Sequence, residues 1–330
     1  MVRAHVSGLA GTSESMIVIY GKFMIDVVIV NWNAGDQLIR CVESVLQHDS
    51  DVVARIIVVD NDSKDGSDAS IEKRTDITLI RTGQNLGFGK ACNLGAQQGS
   101  AEYLLFLNPD AALYPDTLLK MLEFMQNPSN ASIGICGAQL IDETDHVARS
   151  CSRFPSVKSF CAHSLGFDRC FPTLGHAMTE WNHLDTREVD QIIGACFLVR
   201  RSLFNSLSGF DERFFVYFEE VDFSRRAYLL GWHSMYLADA QAFHAGGGTS
   251  RQIKARRLFY SLRSRLLYSH KHFSRWEAAL VVLATLLLEP VSRSVLAIAR
   301  RSWSSIREIW LAYGMLWCWL PQWVFRGSTR

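Results

Sequence analysis

The sequence has little of what marks several common classes. Its eight cysteines include no C-x-x-C pair. Cys151, Cys161 and Cys170, even with His163 or His176, match no common zinc spacing, so the thiols are expected to be reduced in a cytosolic protein. No G-x-G-x-x-G follows the first apolar run, and the stretch from Gly83 to Lys90 does not complete G-x-x-x-x-G-K-[ST]. Dinucleotide-binding and P-loop chemistry are therefore unsupported. The formal net charge of +1 gives no case for a nucleic-acid partner. Met16 to Tyr20 is too short for the apolar core of a secretory signal. No acidic residue lies between Asp239 and Glu277, whereas Arg251, Lys254, Arg256, Arg257, Arg263, Arg265, Lys271 and Arg275 are basic. Such a segment suits phosphate or an anionic membrane surface, or else a solvated helix face.

What is present reads as an ordinary globular chain, 48% hydrophobic and 20% charged. Short apolar runs at 25–30, 55–59, 77–81 and 103–107 read as strands. Helical stretches separate them: one carrying Leu38, Cys41, Val42 and Val45, a short one at 64–73, and one at 91–98. This alternation predicts an α/β fold with a mostly parallel sheet flanked by helices. Further strands are expected at 133–141, 192–199 and 234–237, and a helix at 218–229 ending at Gly231. Residues 142–190 read as a long polar loop.

Polar residues gather after each early strand: Asn31 and Asn33, Asp60 and Asn61, Asn85, then Asn108 and Asp110. Pro109 cannot donate a ladder hydrogen bond, so the fourth strand ends there. Asp110 then falls in the crevice outside the carboxyl ends of the strands, where open α/β sheets bind ligands. Asn108-Pro109-Asp110 equally suits a plain turn. A lone carboxylate with a distant His can hold Mg²⁺ or Mn²⁺, and a cation there would neutralise a diphosphate leaving group. A carboxylate on a helix, from the run Glu219-Glu220-Val221-Asp222, could take a proton from an attacking hydroxyl. The same run also suits a solvated acidic helix start, and Asp222 a local ion pair to Arg225 or Arg226.

Five ordered motifs carry a resemblance. They are Val27-Val28-Ile29-Val30-Asn31-Trp32-Asn33, Val58-Val59-Asp60-Asn61-Asp62-Ser63, Asn85-Leu86-Gly87-Phe88-Gly89 with Asn93, Leu107-Asn108-Pro109-Asp110, and Phe214-Phe215-Val216-Tyr217-Phe218-Glu219-Glu220-Val221-Asp222. Over residues 25–270 the chain resembles glycosyltransferase family 2, in its rhamnosyltransferase-like branch. The resemblance implies a GT-A fold and an inverting transfer from a nucleoside diphosphate sugar, such as dTDP-rhamnose, to a saccharide or lipid-linked acceptor. Asp60 would hold the base or ribose. Asn31, Asn33, Asn61, Asn85, Gly89 and Asn108 would complete the nucleotide-sugar pocket. Asp110 would be the metal-binding member of a D-x-D motif whose first position is Asn108, and His244 would be a further metal ligand. Glu220 would be the general base, with Asp222 as a second catalytic candidate. A nucleotidyltransferase or a catalytically degenerate membrane scaffold are the alternatives.

Residues 1–24 read as an N-terminal extension, 25–250 as the transferase domain and 251–330 as a basic and apolar helical region. Residues 278–288 are apolar but for Thr285, short of the ~20 residues that a spanning helix needs. Residues 309–325 carry no charge and include four tryptophans, a composition suited to a membrane–water interface. The tail is expected to lie on the inner face of the cell membrane, or to pack on the domain or on a second subunit as a homodimer.

Overall fold

The computed structural model describes residues 25–246, 254–327 and 329. The expected extension at 1–24 and most of the glycine loop after His244 lie outside them.

Eleven strands are formed by the described residues. They are β1 (Ile25–Asn31), β2 (Val53–Asp60), β3 (Ile77–Arg81), β4 (Tyr103–Leu107), β5 (Ala111–Leu113), β6 (Ile133–Ile141), β7 (Cys151–Ser152), β8 (Arg187–Val189), β9 (Gln191–Ile192), β10 (Cys196–Arg200) and β11 (His233–His244). The helices are α1 (Gln37–His48), α2 (Phe88–Ala96), α3 (Thr117–Gln126), α4 (Val157–Leu165), α5 (Arg201–Ser206), α6 (Glu219–Leu229), α7 (Lys254–His272), α8 (Arg275–Leu283), α9 (Glu289–Ala299) and α10 (Trp303–Arg326).

The main sheet runs β3-β2-β1-β4-β10-β6-β11-β5, with β8 on β11. The four strands from β3 to β4 are parallel, as expected. Beyond β4 the sheet turns mixed: β10 is antiparallel to both β4 and β6, β11 is parallel to β6, and β5 is antiparallel to β11. The expected strand at 192–199 is two pieces, β9 and β10, parted at Ile193–Ala195 by the bend that faces the cleft.

The strands are apolar on both faces because helices cover both. In β1, Ile25, Val27 and Ile29 enter the core under α1 and α3, while Val28 and Val30 enter the core under α2 and α6. Tyr103, Leu105 and Leu107 of β4 alternate with Leu104 and Phe106 in the same way. Each such side chain contributes about 1.5–3 kcal/mol on burial. A one-residue slip in register would exchange the two faces of every strand.

The expected helix at 64–73 is only a 3₁₀ turn, Ser67–Ser70. The expected loop at 142–190 instead holds α4, capped by a reciprocal Ser156–Ser159 capping box. Its Phe160 belongs to a third core cluster with Phe214, Val221 and the C-terminal helices.

Candidate active site

Strand register assembles the site. His244 at the end of β11 pairs with Ala111 of β5, next to Asp110. The Ala245 amide donates to the Asp110 carbonyl at 3.1 Å. Asp110 Oδ1 and His244 Nε2 consequently lie 3.4 Å apart, each side chain mostly buried. Both line a cleft of about 670 Å³ at the carboxyl ends of the strands, together with Asn108 and Pro109.

A second wall is the turn before α6. Tyr217 and Phe218 both take left-handed backbone conformations, φ +67° and +70°, each costing about 1–2 kcal/mol for a residue with a Cβ. Hydrogen bonds hold the turn. Phe88 N donates to Phe215 O at 2.7 Å, Ser264 Oγ to Val216 O at 2.8 Å, and Asp222 N to Phe218 O at 2.8 Å. The turn delivers Glu219 and Glu220 to the cleft. Glu219 is buried, and its Oε2 has no hydrogen-bond partner. Burial, then the adjacent Glu220 charge, push its carboxyl well above the usual range. Glu220 is half-buried, and desolvation lifts its carboxyl to about 7 against opposing backbone hydrogen bonds. A carboxylate poised near neutrality is suited to accept a proton.

Asp222 does not join them, and the catalytic expectation for it is corrected. It is fully buried, away from the cleft lining, and accepts from Arg226 Nε at 2.7 Å, His272 Nε2 at 2.7 Å and Lys271 Nζ at 2.6 Å. Burial alone would raise its carboxyl, but the hydrogen bonds and charges of His272, Arg226 and Lys271 outweigh burial and hold it below its ordinary value. Asp222 ties α6 to α7 through Lys271 and His272, and within α6 it pairs with Arg226, one of the two partners anticipated for it.

The third wall holds Asn61, Asn85 and Gly87, with Trp32 and Gln37 beside them. Asn61 Nδ2 donates to Asn85 Oδ1 at 3.1 Å, and Asn61 Oδ1 accepts from Leu86 N at 2.8 Å. These bonds fix the loop that turns into α2. Four expected pocket residues stand behind this wall instead. Asn31 is fully buried and donates to Asp60 Oδ1 and Ser67 Oγ, both at 2.8 Å. Asp60, nearly buried, also accepts from Ser63 N at 3.2 Å. Asn33 Oδ1 accepts from Lys64 N at 2.6 Å. Gly89 packs α2 against α6: a Cβ there would sit 3.2 Å from Phe210 Cβ and 3.4 Å from Glu219 Cβ. In this structure these four build the wall rather than face the cleft.

Sequence reasoning missed Trp32, Tyr217 and three residues of α7: Arg256, Arg257 and Tyr260 all line the cleft. The basic run signalled phosphate for the two arginines, but nothing local indicated that α7 turns back onto the sheet edge.

The family model for Glycosyl transferase family 2 matches residues 26–208, more than half of the chain. The chain belongs to glycosyltransferase family 2. This glycosyltransferase is 29% identical over 272 residues to N-acetylglucosaminyl-diphospho-decaprenol L-rhamnosyltransferase of Mycobacterium tuberculosis, covering 78% of this chain and 88% of that one. It is 25% identical over 268 residues to rhamnosyltransferase WbbL of Escherichia coli, covering 76% of this chain and 97% of that one. Among solved structures it resembles the mannosyltransferase PcManGT of Pyrobaculum calidifontis, in complex with GDP-Man and Mn²⁺. The TM-score is 0.55 at 15% identity, over 88% of this chain and 86% of that one. That likeness is one of fold, and the fold is the expected GT-A type. Family membership leaves the nucleotidyltransferase and scaffold alternatives without support.

Proposed function

We propose that the protein transfers rhamnose from dTDP-rhamnose, with inversion, to a hydroxyl of a lipid-linked or polysaccharide acceptor. The observation that carries the reading is that Glu220 and the Asp110–His244 pair line one cleft. The choice of sugar and acceptor is supported by the two rhamnosyltransferase relatives. Asn61, Asn85 and Gly87 form the nucleotide end, where Trp32 offers an aromatic face for stacking.

A carboxylate oxygen and an imidazole nitrogen 3.4 Å apart fit two positions of a divalent cation site. Among the described residues no group of three His, Cys, Asp or Glu could hold such an ion, so the remaining ligands would be diphosphate oxygens and water. Bound there, Mg²⁺ or Mn²⁺ supplies positive charge to the leaving diphosphate. Glu220 takes the acceptor hydroxyl proton as that oxygen bonds to the anomeric carbon. The bond from that carbon to the diphosphate breaks, and the nucleoside diphosphate departs with the electron pair. No covalent sugar intermediate is required.

Peripheral attachment to the inner face of the cell membrane belongs to the same reading. From Arg275 to Ala299 the chain forms a helix long and apolar enough to cross a bilayer. Yet Glu289, in its middle, is fully buried and bonded to Arg265 of α7 and to Arg293. Protein covers the inner side of that helix. Its outer side exposes Trp276, Leu280, Leu283, Leu287, Val291, Val295 and Ile298, three or four residues apart, as one stripe. Helix α10 exposes Trp303, Trp310, Trp317 and Val324 at seven-residue spacing. Exposed Arg300, Arg301 and Arg307 flank these stripes. Apolar stripes with tryptophan and flanking arginine suit a helix pair lying in an anionic membrane surface. They suit a self-associating homodimer face less well.

The deciding experiment is binding of a panel of nucleotide sugars to wild type and Asp110→Ala, with and without Mg²⁺ or Mn²⁺. Metal-dependent binding of dTDP-rhamnose, lost in the variant, is expected. Folded wild type that binds no donor would refute the reading.

A further inference from the structure

We propose that Arg256 and Arg257 form a diphosphate-binding subsite in the cleft wall, supplied by α7 rather than by the sheet. The proposal rests on the glycosyl-transfer reading of the cleft and adds an anion contact to the cleft that the Asp110–His244 pair also lines.

Both arginines lie in the first turn of α7 and line the cleft, with Tyr260 one turn further on. Both side chains are exposed, and neither pairs with a carboxylate of a described residue. Other cations of the C-terminal helices are used differently. Arg265 and Arg293 are bonded to Glu289, and Lys271 to Asp211 and Asp222. Two guanidiniums adjacent in sequence, with no carboxylate partner among the described residues, repel each other, and a ligand carrying two or more negative charges relieves that repulsion. Each guanidinium can also give two parallel N–H donors to phosphate oxygens, which an ammonium cannot.

The turn that carries them is fixed before any ligand arrives. Ala255 N donates to Glu308 Oε2 of α10 at 2.9 Å. The Tyr260 ring lies 5.0 Å from that of Phe215, in the turn that presents Glu219 and Glu220. Ser264 Oγ bonds to the carbonyl of Val216 in the same turn. The charges of the other walls make the arginines necessary. Asp110, Glu219 and Glu220 bring only carboxyl groups, and His244 is the one other basic side chain among the described lining residues. A diphosphate entering that cleft meets positive charge from the protein chiefly at Arg256 and Arg257.

The diphosphate could be that of the nucleotide donor or that of a lipid-linked acceptor, and the experiment separates them. Full-length wild type, R256A/R257A, R256K/R257K and Asp110→Ala are titrated calorimetrically with dTDP and with inorganic pyrophosphate in Mg²⁺. The Michaelis constant for a polyprenyl-diphosphate-linked saccharide in vesicles is measured alongside. Loss of two charge-assisted contacts is expected to weaken binding by about 10–100-fold in the alanine pair, with partial recovery in the lysine pair. Weakened dTDP and pyrophosphate binding assigns the subsite to the donor. Unchanged dTDP binding with a raised acceptor Michaelis constant assigns it to the acceptor. If both quantities stay at wild-type values in the alanine pair, the subsite does not exist. Loss confined to Asp110→Ala would overturn this subsite and leave the transferase reading intact. A wild type that binds neither probe would overturn both.

Discussion

Replacing Glu220 by Gln should abolish turnover and, at the same time, stabilise the folded protein above neutrality. The two effects have one cause. Burial lifts the Glu220 carboxyl from 4.5 to about 7, so the folded state binds a proton that the unfolded chain has already released. A group raised in this way leaves stability intact below pH 4.5 and erodes it as pH climbs through 7. At about 1.4 kcal/mol per pH unit the ionised side chain costs up to about 3 kcal/mol, less what the open side of the residue recovers from water. Gln cannot ionise and escapes this cost. The variant should therefore match wild type at pH 5 and melt higher at pH 8. Catalysis runs the other way, because the base must be ionised to work. The rate at subsaturating acceptor should rise about tenfold per pH unit below 7 and level off above it. The Gln variant should lose about 10²–10⁴-fold, and the Asp variant should keep part of the rate. The assay is initial-rate release of nucleoside diphosphate between pH 5.5 and 8.5, with thermal melts over the same range. A flat pH profile, or a Gln variant within tenfold of wild type, would refute the assignment. Disappearance of the pH limb in Glu219→Gln instead would move the base by one residue.

Asp222→Asn should destabilise the fold by about 3–5 kcal/mol, because it leaves Arg226, Lys271 and His272 around an uncharged amide. Turnover per folded molecule should survive, a split read by melting temperature against active-site titration. In wild type that lowered carboxyl keeps its stabilisation above pH 3.8 and loses it only as pH falls further, through its folded value. Gly87→Ala should weaken nucleotide binding and cost more than ~1 kcal/mol in stability. Its φ is +82°, and a Cβ would lie 2.3 Å from the Phe215 carbonyl that bonds to Phe88 N; calorimetry with dTDP checks it. Replacing Trp276, Leu280 and Leu287 by Ser should release the protein from anionic vesicles in a flotation assay while leaving a melting curve close to wild type, since all three are exposed. A shift in sedimentation coefficient with no change in flotation would instead make the stripe a contact between two copies.

The parallel half of the sheet was legible because its strands are β-branched or apolar on both faces and stop at Asn, Asp or Pro. The antiparallel insertion of β10 between β4 and β6 was not, since strand direction is set by pairing over about a hundred residues of chain. Helix α4 was hidden for a related reason. Its Phe160 is buried against residues distant in the chain, from Phe218 to Tyr268 and Phe273. The same limit sorted the candidate site. A polar residue at a strand end can face a ligand or its neighbour on the next strand, and the sequence pattern is identical in the two cases. Asn31 sits opposite Asp60 in the β1–β2 register and spends its amide there. Asp110 sits beside His244 across the β5–β11 register, where no side-chain amide of a described residue bonds to the carboxyl and it opens on the cleft. Register, rather than residue type, decides which strand-end polar groups remain free for chemistry. Arg256 follows His244 by only twelve positions. One short connection therefore joins the strand that carries the proposed metal ligand to the helix that carries the proposed anion contact. That helix is bonded through Ala255 to α10 and through Arg265 to Glu289 of α9. The proposed lipid-facing surface is thus bonded directly to the helix that forms the cleft wall, without the sheet between them.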